Sequence, residues 1–224
     1  YTIYTSILKN LDDIIAVFDN FPNRPSWYQT QINQILQDND ALTQTKSIDT
    51  WKRYANSLKL RMAMHLVKVN PTDAQRYAEE AVASGVVEDM ANEVGLNPTT
   101  NYFNAHPLKG IMSGWNDVRV NASFVSMLTS LQHPYSNYLF AKNTDKLINS
   151  ADGSVTDAGT VVVGLRAGLR MESGQQYYAN PRVAYSQFTG EDFEFMNIYA
   201  IKWAEIDFLR AEGALRGWSM GGTP

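Results

Sequence analysis

Apolar residues recur three and four apart at Ile7, Leu11, Ile14, Ile15 and Phe18, which predicts a helix over about Tyr4–Phe18 with one buried stripe. Pro22 and Pro25 end it, and a loop carrying Trp27 and Tyr28 follows. Thr30 to Leu36 is weakly helical in pattern, and the polar stretch Gln37–Ser47 reads as a solvent-facing connection. In the next periodic run, Trp51, Tyr54, Ala55, Leu58, Met62, Leu66 and Val69 share one side of a helix whose expected N-cap is Asp49 or Thr50. Asn70-Pro71 breaks that helix. Thr72 with Gln75 then has the form of a capping box, Tyr77, Ala78, Ala81 and Val82 supply a second stripe, and Gly85 closes it. Two antiparallel helices joined by a tight turn are the unit of tetratricopeptide-type solenoids, although no clean repeat at their period of about 34 residues is present.

From Val86 to Asn121 the periodicity disappears while Asn, Gly and Pro accumulate. A long irregular segment inside a compact protein is usually functional, so a ligand is sought here. A helix over about Ala122–Leu131 interrupts the loops, and the β-branched run Thr160–Leu165 predicts one or two short strands before further irregular chain through Gly190. The last predicted helix, about Phe195–Trp218, places Ile198, Ile201, Ala204, Phe208, Ala211 and Leu215 on one face and ends at Gly217, Gly221 and Gly222. Asp207 is spaced to pair with Arg210 and Glu212 with Arg216, each worth about 0.2–0.5 kcal/mol if exposed. A helix with so wide an apolar face normally packs on a following helix, so the chain reads as the middle portion of a longer protein.

Composition narrows the function. The 224 residues suffice for one domain with a substantial core. Charged residues make up 19% and the formal charge is -4 without a long same-sign run, so no basic stripe exists to neutralise phosphates and nucleic-acid binding is not expected. The absence of cysteine removes disulfides, thiolate zinc sites and thiol nucleophiles. No apolar run approaches the roughly 18 residues of a membrane span, and Tyr1–Leu11 lacks the features of a leader. His65, His106 and His133 are scattered, and no His-Glu-x-x-His, nucleophile elbow, P-loop or Gly-x-Gly-x-x-Gly occurs. No catalytic residue, metal ligand or cofactor is therefore predicted.

Aromatic residues, 12% of the chain with five Trp and twelve Tyr, are the stronger chemical signal. Trp51, Trp203 and Trp218 lie on predicted helices and are expected in helix interfaces. Trp27, Trp115, Tyr177 and Tyr178 instead sit in predicted loops among polar neighbours. An exposed ring beside hydrogen-bonding side chains suits a sugar, whose apolar face stacks while its hydroxyls are held. Trp115, Asn116, Asp117 and Arg119 supply those types within five residues and, with Tyr177 and Tyr178, are the candidate ligand-binding residues. Arg61, Glu205 and Glu212 fall near the apolar faces of their helices and are expected to form a structural ion pair between packed helices rather than a catalytic group.

Two stretches also carry a family resemblance. Trp51, Ala55, Asn56, Ser57, Leu58, Leu60, Arg61 and Ala63 resemble the Trp-x-x-Phe-Ala-Asn-Ser-Leu-x-Leu-Arg-x-Ala helix of the SusD/RagB-like nutrient-binding outer-membrane lipoproteins, with Tyr54 in place of Phe. Ala204, Glu205, Phe208, Leu209, Arg210, Ala211, Glu212, Ala214, Arg216 and Gly217 resemble that family's Ala-Glu-x-x-Phe-Leu-Arg-Ala-Glu-Ala-x-x-Arg-Gly helix. The chain departs from the family at His65, where Arg is frequent, and at His133-Pro134-Tyr135, where an Asp-Pro-Arg turn is usual.

The resemblance implies a mostly α fold, with tetratricopeptide-like helical hairpins, an irregular loop-rich ligand face and one or two short strands. On that reading residues 1–224 are a single SusD-like domain, incomplete at both ends, with a helical scaffold at about 1–85 and 195–218 and a loop-rich binding region at about 86–194. The implied role is non-catalytic capture of a nutrient, an oligosaccharide by default, at the cell surface. The implied partner is a SusC-like TonB-dependent transporter, with the outer membrane reached only through a lipid anchor outside this segment. The ligand itself does not transfer with a fold. The alternative is a tetratricopeptide-like adaptor that binds a protein or peptide.

Overall fold

The computed structural model describes residues 2–96, 106–116, 118–149, 151–168, 184–189 and 196–222. The chain divides into two compact units, Tyr1–Tyr102 with Asn197–Pro224, and Phe103–Met196. In chain order the first unit supplies α1 (Thr2–Asp19), a 3-10 turn (Phe21–Asn23), α2 (Ser26–Asn39), α3 (Ile48–His65), α4 (Pro71–Ser84), a 3-10 turn (Met90–Asn92) and β1 (Val94–Leu96). The second unit supplies α5 (Pro107–Ser113), α6 (Ala122–Ser130), α7 (Ser136–Leu139), β2 (Leu147–Ile148) and β3 (Val155–Thr156), and β4 (Ile198–Ile201) and α8 (Trp203–Leu215) return to the first. The fold is mostly helical with only short strands, as the pattern predicts.

Helix α3 is the centre of the first unit and packs against α1, α4 and α8. Its N-cap is Ser47, whose Oγ accepts from the Thr50 N–H at 3.2 Å, so the helix starts ahead of the expected Asp49 or Thr50. Thr50 is buried inside it, where its hydroxyl meets Thr45 and donates to Asn92 Oδ1. The helix ends at His65, which places Leu66 and Val69 beyond it, the first buried and the second exposed.

A helix covered on several sides cannot keep to one apolar stripe. The heart of α3 is Leu60, Ala63 and Met64, while Trp51, Tyr54, Leu58 and Met62 of the expected stripe are half-buried. Between them lie buried polar groups that reach neighbouring elements. Asn56 Nδ2 donates to Ser84 Oγ at 3.0 Å and to the Gly85 carbonyl at 2.9 Å, and Ser57 Oγ accepts from the Val87 N–H at 2.9 Å. Lys59 Nζ lies 2.6 Å from Asp12 and 2.8 Å from Glu80, linking α1, α3 and α4. Asn70 rather than Thr72 caps α4, with its Oδ1 accepting from the Asp73 N–H, because Pro71 has its φ preset for the first helical position. On α1 the buried side is Leu8, Leu11 and Ile15, while Ile7 and Ile14 of the expected stripe are exposed with Ile3 and Val17.

Two stretches near the C-terminal end differ from the sequence pattern. Of the expected helix from Phe195, Phe195 lies outside the described residues, and Ile198 and Ile201 belong to β4, paired antiparallel with β1. These β-branched residues find distant partners, Ile201 opposite Val94 and Ile198 opposite Leu96, which local periodicity does not report. The helix proper starts at Trp203, whose N–H donates to the buried Glu93 carboxylate at 3.2 Å. It buries Ile206 and Gly213 against the core, with Met220 folded back over Gly213, while Phe208 is 78% and Leu215 76% exposed. The α8 stripe at Ala204, Phe208, Ala211 and Leu215 is therefore present but turned away from the unit's core. The predicted strand over Thr160–Leu165 is not one: only Leu165 makes a bridge, to Asn121, and the local strands are β2 and β3.

The second unit is held by fewer regular bonds. Its core is Val120, Val125, Leu128 and Phe140, with Leu139, Val162 and Phe188 packed on it. Asn121 caps α6, its Oδ1 accepting from the Ser123 N–H at 2.8 Å. Gly164 sits so close to the start of α6 that a Cβ there would lie 2.5 Å from Ala122 Cα. Asn143, 2% exposed, donates to the Asp145 and Asp157 carbonyls at 2.9 Å and accepts from the Thr160 and Val161 N–H groups at 3.1 Å. Among the described residues no helix is long and apolar enough to cross a membrane.

Candidate functional site

Helix α5 ends at Ser113, and the Gly114 N–H closes its last turn on the Gly110 carbonyl at 2.9 Å. Asn116 follows with φ +54°, a left-handed conformation that Asn adopts more readily than most residues. The turn leaves the Trp115 side chain 78% exposed. Arg119 folds back onto the turn, with Nη1 donating to the Asn116 carbonyl at 3.0 Å and the Val118 carbonyl at 2.6 Å, and Nη2 donating to Asn116 Oδ1 at 2.9 Å.

A fourth residue arrives from far along the chain. The buried Val120 donates its N–H to the Ser186 carbonyl at 2.9 Å, and Ser186 in turn bonds Val163 through its N–H and Oγ. That pairing sets Gln187 beside the turn, where its Nε2 donates to Asn116 Oδ1 at 2.5 Å. The result is an exposed indole next to an amide whose oxygen is held by two donors. Asn116 Nδ2 has no partner among the described residues. The arrangement can stack an apolar ring face and present fixed hydrogen-bonding groups; among its described residues it holds no paired carboxylates for acid–base chemistry.

Of the sequence-predicted residues, the structure brings together Trp115, Asn116 and Arg119. Asp117, Tyr177 and Tyr178 lie outside the described residues. Gln187 carried no sequence signal, since its place depends on the Val120–Ser186 pairing. Trp27, expected in a loop, lies on α2 and is 62% exposed. Two concavities formed by described residues lie in the first unit: one of about 410 Å³ lined by residues including Phe18, Phe21, Gln29 and Lys52, and one of about 240 Å³ lined by residues including Asp207, Arg210 and Met220. The Trp115 platform is in neither. No group of three or more metal-ligating side chains occurs among the described residues.

The ionisable groups of the first unit serve the scaffold. Arg61 and Glu205 form a bidentate pair between α3 and α8, with both N–O distances 2.6 Å, and Arg61 Nη2 also donates to the Ala200 carbonyl. Glu212 instead pairs with Arg216. Burial raises the Glu80 pKa, but Lys59 and Arg76 outweigh it and hold the carboxyl below its ordinary value. The Gln75 amide, followed by the Ser219 N–H, likewise lowers Glu79.

Comparison with known proteins adds a family frame. The family model described as SusD-like, SusD and RagB outer membrane lipoprotein, matches residues 1–224. A SusD-like protein from Bacteroides thetaiotaomicron is similar in structure at TM-score 0.72 and 28% identity, covering 99% of this chain and 41% of that one. A chitin-binding SusD homologue from Flavobacterium johnsoniae gives TM-score 0.74 at 28% identity with the same coverage, 99% and 41%. A SusD homologue from Bacteroides ovatus gives 0.69 at 28%, again covering 99% and 41%. The chain thus spans about two fifths of the length of these solved relatives. No curated protein matches it.

Proposed function

The chain belongs to the SusD/RagB family of outer-membrane lipoproteins, and from that premise we propose that it serves in capturing a nutrient oligosaccharide at the cell surface, without transforming it, for delivery to a SusC-like TonB-dependent transporter. The observation that carries this reading is Trp115, an exposed indole in a polar turn whose next residue, Asn116, is held by Arg119 and Gln187. An exposed ring so placed costs solvation unless a ligand covers it, and the apolar face of a sugar fits it. The chitin-binding relative supports a glycan as the ligand class. Asp117, Tyr177 and Tyr178 are proposed as further ligand contacts, and the lipid anchor is proposed to lie outside this segment.

The helical unit is proposed as the scaffold and as the surface that docks on the transporter. Support comes from α2, none of whose side chains is buried, and which leaves Trp27, Tyr28 and Ile35 exposed. The same helix is what favours the adaptor reading, in which a protein or peptide is the primary ligand. Screening the full-length protein against soluble oligosaccharides and against peptides separates the two. Saturable glycan affinity that falls about tenfold or more in Trp115→Ala supports nutrient capture. Peptide affinity with no glycan binding would replace it with the adaptor.

A further inference from the structure

We propose that the ligand of the Trp115 platform bears an acetamido group, read by the side-chain amides of Asn116 and Gln187. The inference rests on the glycan-binding reading above and specifies which sugars the site prefers.

Polarity at the site is dictated by Arg119. A guanidinium can only donate, so the Asn116 atom 2.9 Å from Arg119 Nη2 must be the carbonyl oxygen. That same oxygen meets Gln187 at 2.5 Å, so Gln187 must present its Nε2 there. Neither amide can flip without setting donor against donor or acceptor against acceptor. Asn116 Oδ1 is thereby met by two donors and its Nδ2 is left as a pure donor, while the remaining polar atom of the Gln187 amide is Oε1, a pure acceptor. Neither Asn116 Nδ2 nor Gln187 Oε1 has a partner among the described residues.

One fixed donor and one fixed acceptor beside an exposed indole do not discriminate among hydroxyls, because a hydroxyl rotates to serve either role. A secondary amide has no such freedom. Its carbonyl can accept from Asn116 Nδ2, its N–H can donate to Gln187 Oε1, and its methyl group has the indole for apolar contact. The site therefore favours a 2-acetamido sugar over the hexose that carries a hydroxyl at the same carbon.

Titration calorimetry on the full-length protein with N-acetylated chitotetraose and with cellotetraose tests this, since the two share a β-1,4 backbone and differ at that substituent. The wild type is expected to bind the acetylated oligomer at least tenfold tighter. Asn116→Asp keeps an oxygen for Arg119 and Gln187, tolerates the positive φ and replaces the free donor by an acceptor. It is expected to lose that preference, the ratio of the two affinities falling from at least tenfold to about one. Gln187→Leu is expected to weaken the acetylated oligomer selectively as well. Equal affinity of the wild type for both oligomers, absence of binding to both, or a preference that survives Asn116→Asp overturns the proposal. Trp115→Ala separates this from the underlying reading: glycan binding that still depends on Trp115 keeps the platform, whereas binding indifferent to Trp115 removes the platform and the acetamido preference together.

Discussion

In the first unit α3 runs for 18 residues with its backbone bonded within the helix, and its buried polar side chains reach outward to hold other elements. Asn56 and Ser57 anchor the chain leaving α4, Lys59 joins three helices and Arg61 secures α8. The second unit reverses that arrangement. There Asn143 and Ser186 bond directly to the backbone of segments that no helix or long strand satisfies. A buried N–H or C=O needs a partner, so irregular chain is tolerated only where a polar side chain supplies one. The second unit thus depends on a few polar residues, whereas the helical unit spreads its stability over many apolar contacts.

The largest effects should come from the two centres. Leu60→Ala in the first unit removes a fully buried side chain and is expected to cost about 2–5 kcal/mol. Asn143→Ala strands two carbonyls and two N–H groups and is expected to cost about 2–4 kcal/mol. Hydrogen exchange followed by mass spectrometry distinguishes them: Leu60→Ala should lower protection across 48–84, Asn143→Ala across 141–165. Equal loss in both regions from either change would erase the contrast. Gly164→Ala, with its Cβ driven against the α6 backbone, should cost about 1–3 kcal/mol and act on the second unit.

Smaller effects sharpen the account of the first unit. Lys59→Ala should cost about 1–2 kcal/mol, less than a fully buried pair because Asp12 and Glu80 keep partial access to water. Glu80 adds a pH signature. Its folded pKa lies below its ordinary 4.5, so its contribution is complete above that pH and is lost as the pH falls through the depressed value. Thermal midpoints recorded from neutral pH down to about 3 should show this loss in the wild type and a shallower one in Lys59→Met. Arg61→Lys is expected to be mildest, about 0.5–1 kcal/mol, because one bidentate bond is replaced by a point charge.

Much of the helical unit was legible in the sequence because its helices are long and periodic. What periodicity could not report was which side of each helix faces inward. The stripe on α8 ends in exposed Phe208 and Leu215, since Met220 and Gly213 decide the packing. The switch from helix to β4 depended on pairing with β1, far earlier in the chain. At the candidate site, Trp115, Asn116 and Arg119 stand out as residue types in one short run, and the structure supplies the bonds between Arg119 and Asn116. Gln187 was not legible, because only the Val120–Ser186 backbone pairing puts it there.

The most direct test sets the two exposed tryptophans against each other in the full-length protein. Trp115→Ala and Trp27→Ala should both unfold at temperatures near that of the wild type, since neither ring is buried. Glycan affinity measured by calorimetry should fall about tenfold or more in Trp115→Ala and stay unchanged in Trp27→Ala. Glycan affinity unchanged by Trp115→Ala would contradict the account.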